Sequence, residues 1–185
     1  GLATSFAGES DGKITGTAST MEYKLSSDTT YSPASDTETT GLAAGTYDVR
    51  FAAITGVLAS PSVSVTVGEG PARTYPLTVT APSFSGILSS DPQPEAKPIT
   101  ITNVGNSAST ITNITVSNAD FIVAGSGSTV AVGGSINSWT VQPAAGLAAG
   151  THTATITVTY TGGAEATADV SIVITPAAPT GLTGS

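Results

Sequence analysis

Cysteine is missing from this chain altogether. Its absence excludes disulfide staples, thiolate metal sites and a cysteine nucleophile. Charge is scarce too: Asp, Glu, Lys and Arg make up 10% of the 185 residues, with 5 bases against 13 acids and a net charge of −8. The basic deficit runs along the whole sequence, since residues 1–74 hold eight acids and four bases and residues 75–185 hold five acids and one base. So few Lys and Arg cannot neutralise many phosphates, which argues against nucleic acid and anionic membranes as partners. No apolar run reaches the ~18 residues that a membrane-spanning helix needs, so membrane insertion is not expected. No signal peptide or initiator methionine opens the sequence, and the chain is expected to be a slice of a longer protein.

What is present is Thr and Ser, 55 residues together, with Val and Ile alternating among them. Helix formers such as Leu, Glu, Lys, Gln and Arg are few. This is a β composition, and the chain reads as all-β.

Short strands separated by turns fit the first half. "GKITGT" (Gly12–Thr17) and "MEYKLS" (Met21–Ser26) precede a polar loop, "SDTTYSPASDTETT". In "TYDVRFAA" Tyr47, Val49 and Phe51 share one face while Asp48 and Arg50 share the other. "SVSVTV" repeats the period, with Val63, Val65 and Val67 inward and Ser62, Ser64 and Thr66 outward. "GEGPAR" (Gly68–Arg73) then breaks the apolar pattern and marks a domain boundary. Strands resume at "TYPLTVT", "ITITNV", "STITNITVS", "DFIVAG", "STVAVG" and "SWTVQP". A last pair, "THTATITVTY" and "ATADVSIVIT", is joined by the turn "TGGAE", with Ile156, Val158 and Tyr160 answered by Val170, Ile172 and Ile174. Regular short strands without intervening helices predict antiparallel sandwiches.

The hexapeptide "GLAAGT" occurs at Gly41–Thr46 and again at Gly146–Thr151, 105 residues on. Each copy precedes the strongest alternating strand of its half. The reading is one structural device per domain, hence two consecutive sandwiches: residues 1–72, residues 73–176, and a linker at 177–185. The first copy, with Leu42, Gly45 and Tyr47, resembles the tyrosine corner of immunoglobulin-like domains, where a Tyr hydroxyl bonds backbone a few residues upstream. In the second copy Leu147 and Gly150 keep their places and His152 stands where Tyr47 stood. His152 is in phase with Ala154, Ile156 and Val158, which points it inward near the rim.

The pattern "DGKITGTASTMEYKLS…TTGLAAGTYDVRFAAI…ASPSVSVTV" resembles a short fibronectin-III-like repeat of large secreted and surface-anchored proteins of Gram-positive bacteria. Tyr31 takes the place of that repeat's central-loop Trp. The second half, from "PITITNVGNSAST" to "AAGLAAGTHTATITVTY", resembles the Ig-like domains with a "TNxG" motif that often accompany it. The resemblance implies an extracellular setting, at a bacterial surface or secreted, for a spacer or presenting module whose partners are the neighbouring domains of its own polypeptide.

Catalytic chemistry has little to draw on. The single histidine, His152, falls in a strand phase; there is no GxSxG elbow and no HExxH; and "GSGST" (Gly125–Thr129) has no helix after it to cradle a phosphate. An enzyme is not expected, nor is a cofactor. Oxygen ligands in "ESDG" (Glu9–Gly12) and "SDTETT" (Ser35–Thr40) make structural calcium the candidate metal, although neither has EF-hand spacing. The alternative function is a carbohydrate-binding or adhesive module recognising a glycan or a surface protein, for which Tyr31, Trp139 and Tyr160 are the candidate aromatics.

Overall fold

The structure, a computed structural model, describes residues 1–127 and 129–179. The chain divides into two compact units, Gly1–Arg73 and Thr74–Ser185. From residue 180 onward, the linker expected at 177–185 lies outside the described residues, as does Ser128 of "GSGST".

Unit 1 has six strands: β1 (Gly12–Thr17), β2 (Met21–Leu25), β3 (Ser32–Pro33), β4 (Thr37–Leu42), β5 (Gly45–Phe51) and β6 (Val63–Val67). β1 and β4 pair as one sheet, and β3-β2-β5-β6 form the other. The polar segment expected as a loop thus holds β3 and most of β4, because Thr39, though polar, turns inward and bonds Thr17 at 3.2 Å. Ile14, Leu42, Tyr47 and Val67 are the buried core, with Tyr23, Leu25, Val49 and Val65 packed against it. The three valines of β6 do share a face, but only Val67 is buried, at 1% exposure, while Val63 is 67% exposed. Their alternation marks the inner face correctly; no strand covers its outer end.

Among its described residues unit 2 has nine strands: β7 (Leu77–Thr80), β8 (Ile87–Leu88), β9 (Lys97–Asn103), β10 (Ser109–Val116), β11 (Phe121–Ala124), β12 (Thr129–Val130), β13 (Ser135–Pro143), β14 (Gly150–Tyr160) and β15 (Ala164–Thr175). They build two sheets, β12-β10-β14-β15-β8 and β11-β13-β9-β7. The β14–β15 hairpin pairs in unbroken register from Gly150↔Ile174 to Tyr160↔Ala164. Its turn runs through Gly162 and Gly163 at φ +82° and +74°, a backbone that side-chain-bearing residues avoid. Ile99, Ile101, Phe121, Val141, Ile156, Val158 and Ile172 lie between the sheets.

One closing device recurs in both units. In unit 1 the Thr4 amide donates to the Gly68 carbonyl at 3.1 Å, and the Thr4 hydroxyl accepts from the Gly70 amide at 2.9 Å. In unit 2 the Ser89 amide donates to the Thr175 carbonyl at 2.8 Å, and the Ser89 hydroxyl accepts from the Ala177 amide at 3.0 Å. The early segment runs parallel to the last strand in unit 2, where Ile87 pairs with Ile174 and Leu88 with Thr175. In unit 1 Gly1 lies against Thr66, three residues before Thr4 reaches Gly68, so the course is parallel there too.

Candidate functional site

Both copies of "GLAAGT" carry the chain from one sheet to the other, β4 to β5 in unit 1 and β13 to β14 in unit 2. Leu42 is buried and Leu147 packs against the core of unit 2. The glycines that make the bend are Gly41 and Gly146, at φ +75° and +70°. Gly45, the other corner glycine of the first copy, keeps an ordinary φ, and a Cβ there would meet only the end of the Leu25 side chain, at 2.8 Å. Gly150 does adopt a glycine-favouring φ of +149°.

The Tyr47 hydroxyl donates to the Ala43 carbonyl at 2.9 Å, four residues upstream. Burial raises its pKa, so it remains a donor. His152 makes the same reach with its ring: Nε2 lies 2.9 Å from the Ala148 carbonyl, again four residues upstream. On the other side Nδ1 lies 2.9 Å from an Asp120 carboxylate oxygen. Both neighbours are acceptors, so the ring is best satisfied carrying a proton on each nitrogen. The Ala148 carbonyl first, and Asp120 second, raise the His152 pKa accordingly. A histidine held in this way clamps a corner and has no nitrogen left to act as a general base.

The aromatics proposed for sugar stacking are dispersed. Tyr160 is 6% exposed and belongs to the core of unit 2, which corrects its place among surface aromatics. Trp139 is half-buried against the same core, beneath Gly125, where an added Cβ would come 2.8 Å from the indole. Tyr31 is half-buried, and the Arg50 guanidinium lies over its ring, 3.7 Å from the centroid. Arg50 also donates to Glu22 at 2.6 Å, directly across from it on β2. The next cross-strand pair, Lys24 with Asp48 at 3.2 Å, continues this ladder on the outer face. Hydroxyls of Ser26 and Ser64 also donate to Asp48; Ser26 and then Lys24 hold its carboxyl below the usual carboxylate range. Sequence reasoning did not pair these residues, although β2 and β5 alternate in matching phase.

The oxygens expected to take calcium have protein partners. Glu9 meets Arg73 at 2.7 Å, Asp11 accepts from the Ser5 amide at 2.8 Å, Asp36 from the Ser19 amide at 2.7 Å, and Glu38 meets Lys13 at 2.8 Å. Among the described residues no three His, Cys, Asp or Glu side chains converge.

Two further residues escaped the sequence reading. Asp120 was not linked to His152. Asn103, the Asn of "TNVG", is fully buried; it donates to the Ser107 and Val130 carbonyls and accepts from the Gly105 amide, at 2.8–2.9 Å. Gly105 is required beside it because a Cβ would stand 2.4 Å from the Thr74 carbonyl oxygen. The motif is a loop fastener.

Residues 92–173 match the HYDIN/CFA65/VesB-like family's Ig-like domain. No curated protein matches the sequence. Similar solved structures include a protein of unknown function from Porphyromonas gingivalis W83, 15% identical, covering 90% of this chain and 86% of that one, with TM-score 0.41. Fibronectin(III)-like modules of Clostridium thermocellum CbhA are 21% identical, with 97% and 96% covered and TM-score 0.30. Mouse cadherin-23 EC22-24 is 11% identical, with 96% and 62% covered and TM-score 0.40. The protein is all-β, built of antiparallel Ig-like sandwiches.

Proposed function

We propose that the chain is a non-catalytic spacer, a pair of modules that holds another domain of a bacterial extracellular protein at a distance. The observation that carries this reading is the path of the backbone through unit 2. Thr74 enters beside the β9–β10 loop, where its amide bonds Asn106 at 2.7 Å and its carbonyl accepts from the Ser107 amide at 3.1 Å. The chain leaves at Ile174, which shares a small cavity with Pro143 and Leu147. Ser135, at the start of β13, lies opposite Thr102 near the entry, and Pro143 ends the same strand near the exit. Entry and exit therefore lie at opposite ends of a nine-residue strand, about 25–30 Å apart at ~3.3 Å per residue. A unit threaded this way adds its length to the polypeptide that contains it. The engagement of His152 and the loop acids in structural bonds agrees with a module that does no chemistry.

A glycan array probed with the purified chain, with Tyr31→Ala and Trp139→Ala alongside, tests the reading. The spacer expectation is no saturable binding, with Trp139→Ala only lowering the melting temperature. Saturable binding that Tyr31→Ala abolishes at an unchanged melting temperature would replace the spacer with a carbohydrate-binding module.

A further inference from the structure

The two corners close with the same reach but with different chemistry around it. In unit 1 the bond from Tyr47 to the Ala43 carbonyl is backed by the sheet, because Leu42 is the last residue of β4 and pairs with Gly12. In unit 2 the equivalent leucine belongs to no strand: β13 ends at Pro143, β14 begins at Gly150, and Leu147 lies between them. Gly146 and Gly150 bracket it at φ +70° and +149°, backbone angles that only glycine takes with ease, so the segment is hinged at both ends. Leu147 is half-buried beside a cavity of about 40 Å³ that it shares with Ile87, Leu88 and Ile174. Besides that packing, the segment is fastened by the bond between His152 Nε2 and the Ala148 carbonyl, at 2.9 Å.

That bond exists only while Nε2 carries a proton. Nδ1 faces Asp120 at 2.9 Å, and a neutral imidazole has one N–H for the two acceptors. A carboxylate is the stronger acceptor because it is charged, so the remaining proton stays on Nδ1. Nε2 then turns a lone pair toward the carbonyl oxygen, and attraction becomes repulsion. Asp120 is the carboxylate against the ring. Among the described residues the segment 144–149 and β11 carry no ionisable side chain, β13 ends in Gln142 and Pro143, and β15 sets Ile172 opposite His152. Tyr160 stands at the far end of β14. Asp91 borders the cavity from the other side, with its carboxylate taken by the Leu88 amide at 2.8 Å, and Glu95 follows in the same loop.

We propose that the second corner is a pH-operated latch. Protonated His152 ties Leu147–Ala149 down, and loss of the Nε2 proton to solvent frees that segment to swing on Gly146 and Gly150, withdrawing Leu147 from its cavity. The latch is fully shut below about pH 6.5, the ordinary histidine value. It opens as pH rises through the folded pKa, which the Ala148 carbonyl first and Asp120 second hold above that value. The first corner has no such setting, because burial pushes the Tyr47 pKa above the ordinary tyrosine value and the hydroxyl stays a donor throughout. The chain thus carries one permanent corner and one that proton release undoes.

The test is carbon-13 NMR relaxation on the intact protein labelled at alanine and leucine, at about pH 5.5 and about pH 8.5, on either side of the histidine range. Backbone order parameters at Leu147 and Ala148 are expected to fall from about 0.85 toward 0.6 on going to the higher pH. The midpoint of that fall should coincide with the titration of the His152 ring, and nitrogen-15 shifts should place the neutral ring's proton on Nδ1. His152→Tyr copies the corner of unit 1 and is expected to keep the segment rigid at both pH values. Asp120→Asn removes the charge that favours the protonated ring, so the ring titration and the loosening should move together to lower pH. Order parameters that stay flat through the ring titration would overturn the proposal, as would a proton found on Nε2 of the neutral ring. So would a pH dependence that survives in His152→Tyr, which would assign the motion to another group. If His152→Tyr does not fold, Asp120→Asn decides: a loosening whose midpoint stays put while the ring titration moves overturns the latch.

Discussion

Among the described residues unit 2 gathers fifteen buried apolar residues into one cluster, whereas the cluster of unit 1 has four. Where β7 covers β9, the inner face of β15 is buried through Val170, Ile172 and Ile174. Along β6 of unit 1, exposure rises from buried Val67 to exposed Val63. The corner and the clasp, by contrast, survive changes of residue: Tyr47 or His152 reaches the carbonyl four back, and Thr4 or Ser89 locks the end. Hydrogen-bonded devices need one correct atom in one place, and several side chains supply it. A core needs buried area, which no single hydrogen bond supplies.

Matched core truncations should break the comparison most strongly. Ile156→Ala in unit 2 and Leu42→Ala in unit 1 each remove a buried side chain at about 2–5 kcal/mol. Unit 2, with its larger core, is expected to remain folded, and unit 1 to unfold. Trp139 is the only tryptophan, so its fluorescence in urea reports on unit 2, while amide exchange in β2 and β5 reports on unit 1. Persistent protection of β5 in Leu42→Ala would show that the small core is not the limit.

Tyr47→Phe keeps the ring and deletes the bond to Ala43, for an expected loss of about 1 kcal/mol in unit 1. An unchanged urea midpoint for β5 protection would mean that packing alone holds the corner. Thr4→Val removes a buried hydroxyl that donates to the Phe6 carbonyl and accepts from Gly70, again about 1 kcal/mol. Ser89→Ala, at an exposed position, should cost less. If the two costs are equal, burial does not distinguish the clasps.

The smallest effect separates the corners by pH. His152 has a folded pKa above its unfolded value of about 6.5, so its contribution is fully present below that pH and is lost as pH rises through the folded value. Tyr47 has no titration in that window. The Trp139 unfolding midpoint should therefore fall modestly between pH 6 and 8, and His152→Gln should flatten the profile. A slope unchanged in His152→Gln would assign the dependence to another group.

Much of this architecture was legible because β-strands write their faces at period two. Tyr47, Ile156 and Ile172 fell on the inner face by alternation alone, and the repeated hexapeptide marked both sheet crossings. Three features were not legible for physical reasons. Thr39 is polar, so its inward course in β4 resembled a loop. The clamp on His152 depends on Asp120, 32 residues away, and alternation carries no information about contacts at that range. How deeply each valine of β6 is buried depends on its neighbours, and the alternation is the same at buried Val67 and exposed Val63. Nor does alternation show that Tyr31 is half-buried under a guanidinium carried by β5.

The clasp also decides how these units respond to tension. In each, the early segment and the last strand run side by side in the same direction and are fastened near one end. Pulling on the two ends of the unit drags these segments past each other lengthwise, so the Ser89 bonds and the Ile87–Leu88 pairing share the load at once instead of opening in turn. Single-molecule extension should show Ser89→Ala lowering the rupture force of unit 2 by a larger fraction than it lowers equilibrium stability. Equal fractions would mean that the load passes elsewhere. With the clasp intact, the unit resists a sudden pull as a shear-loaded joint holds where a peeled seam gives way.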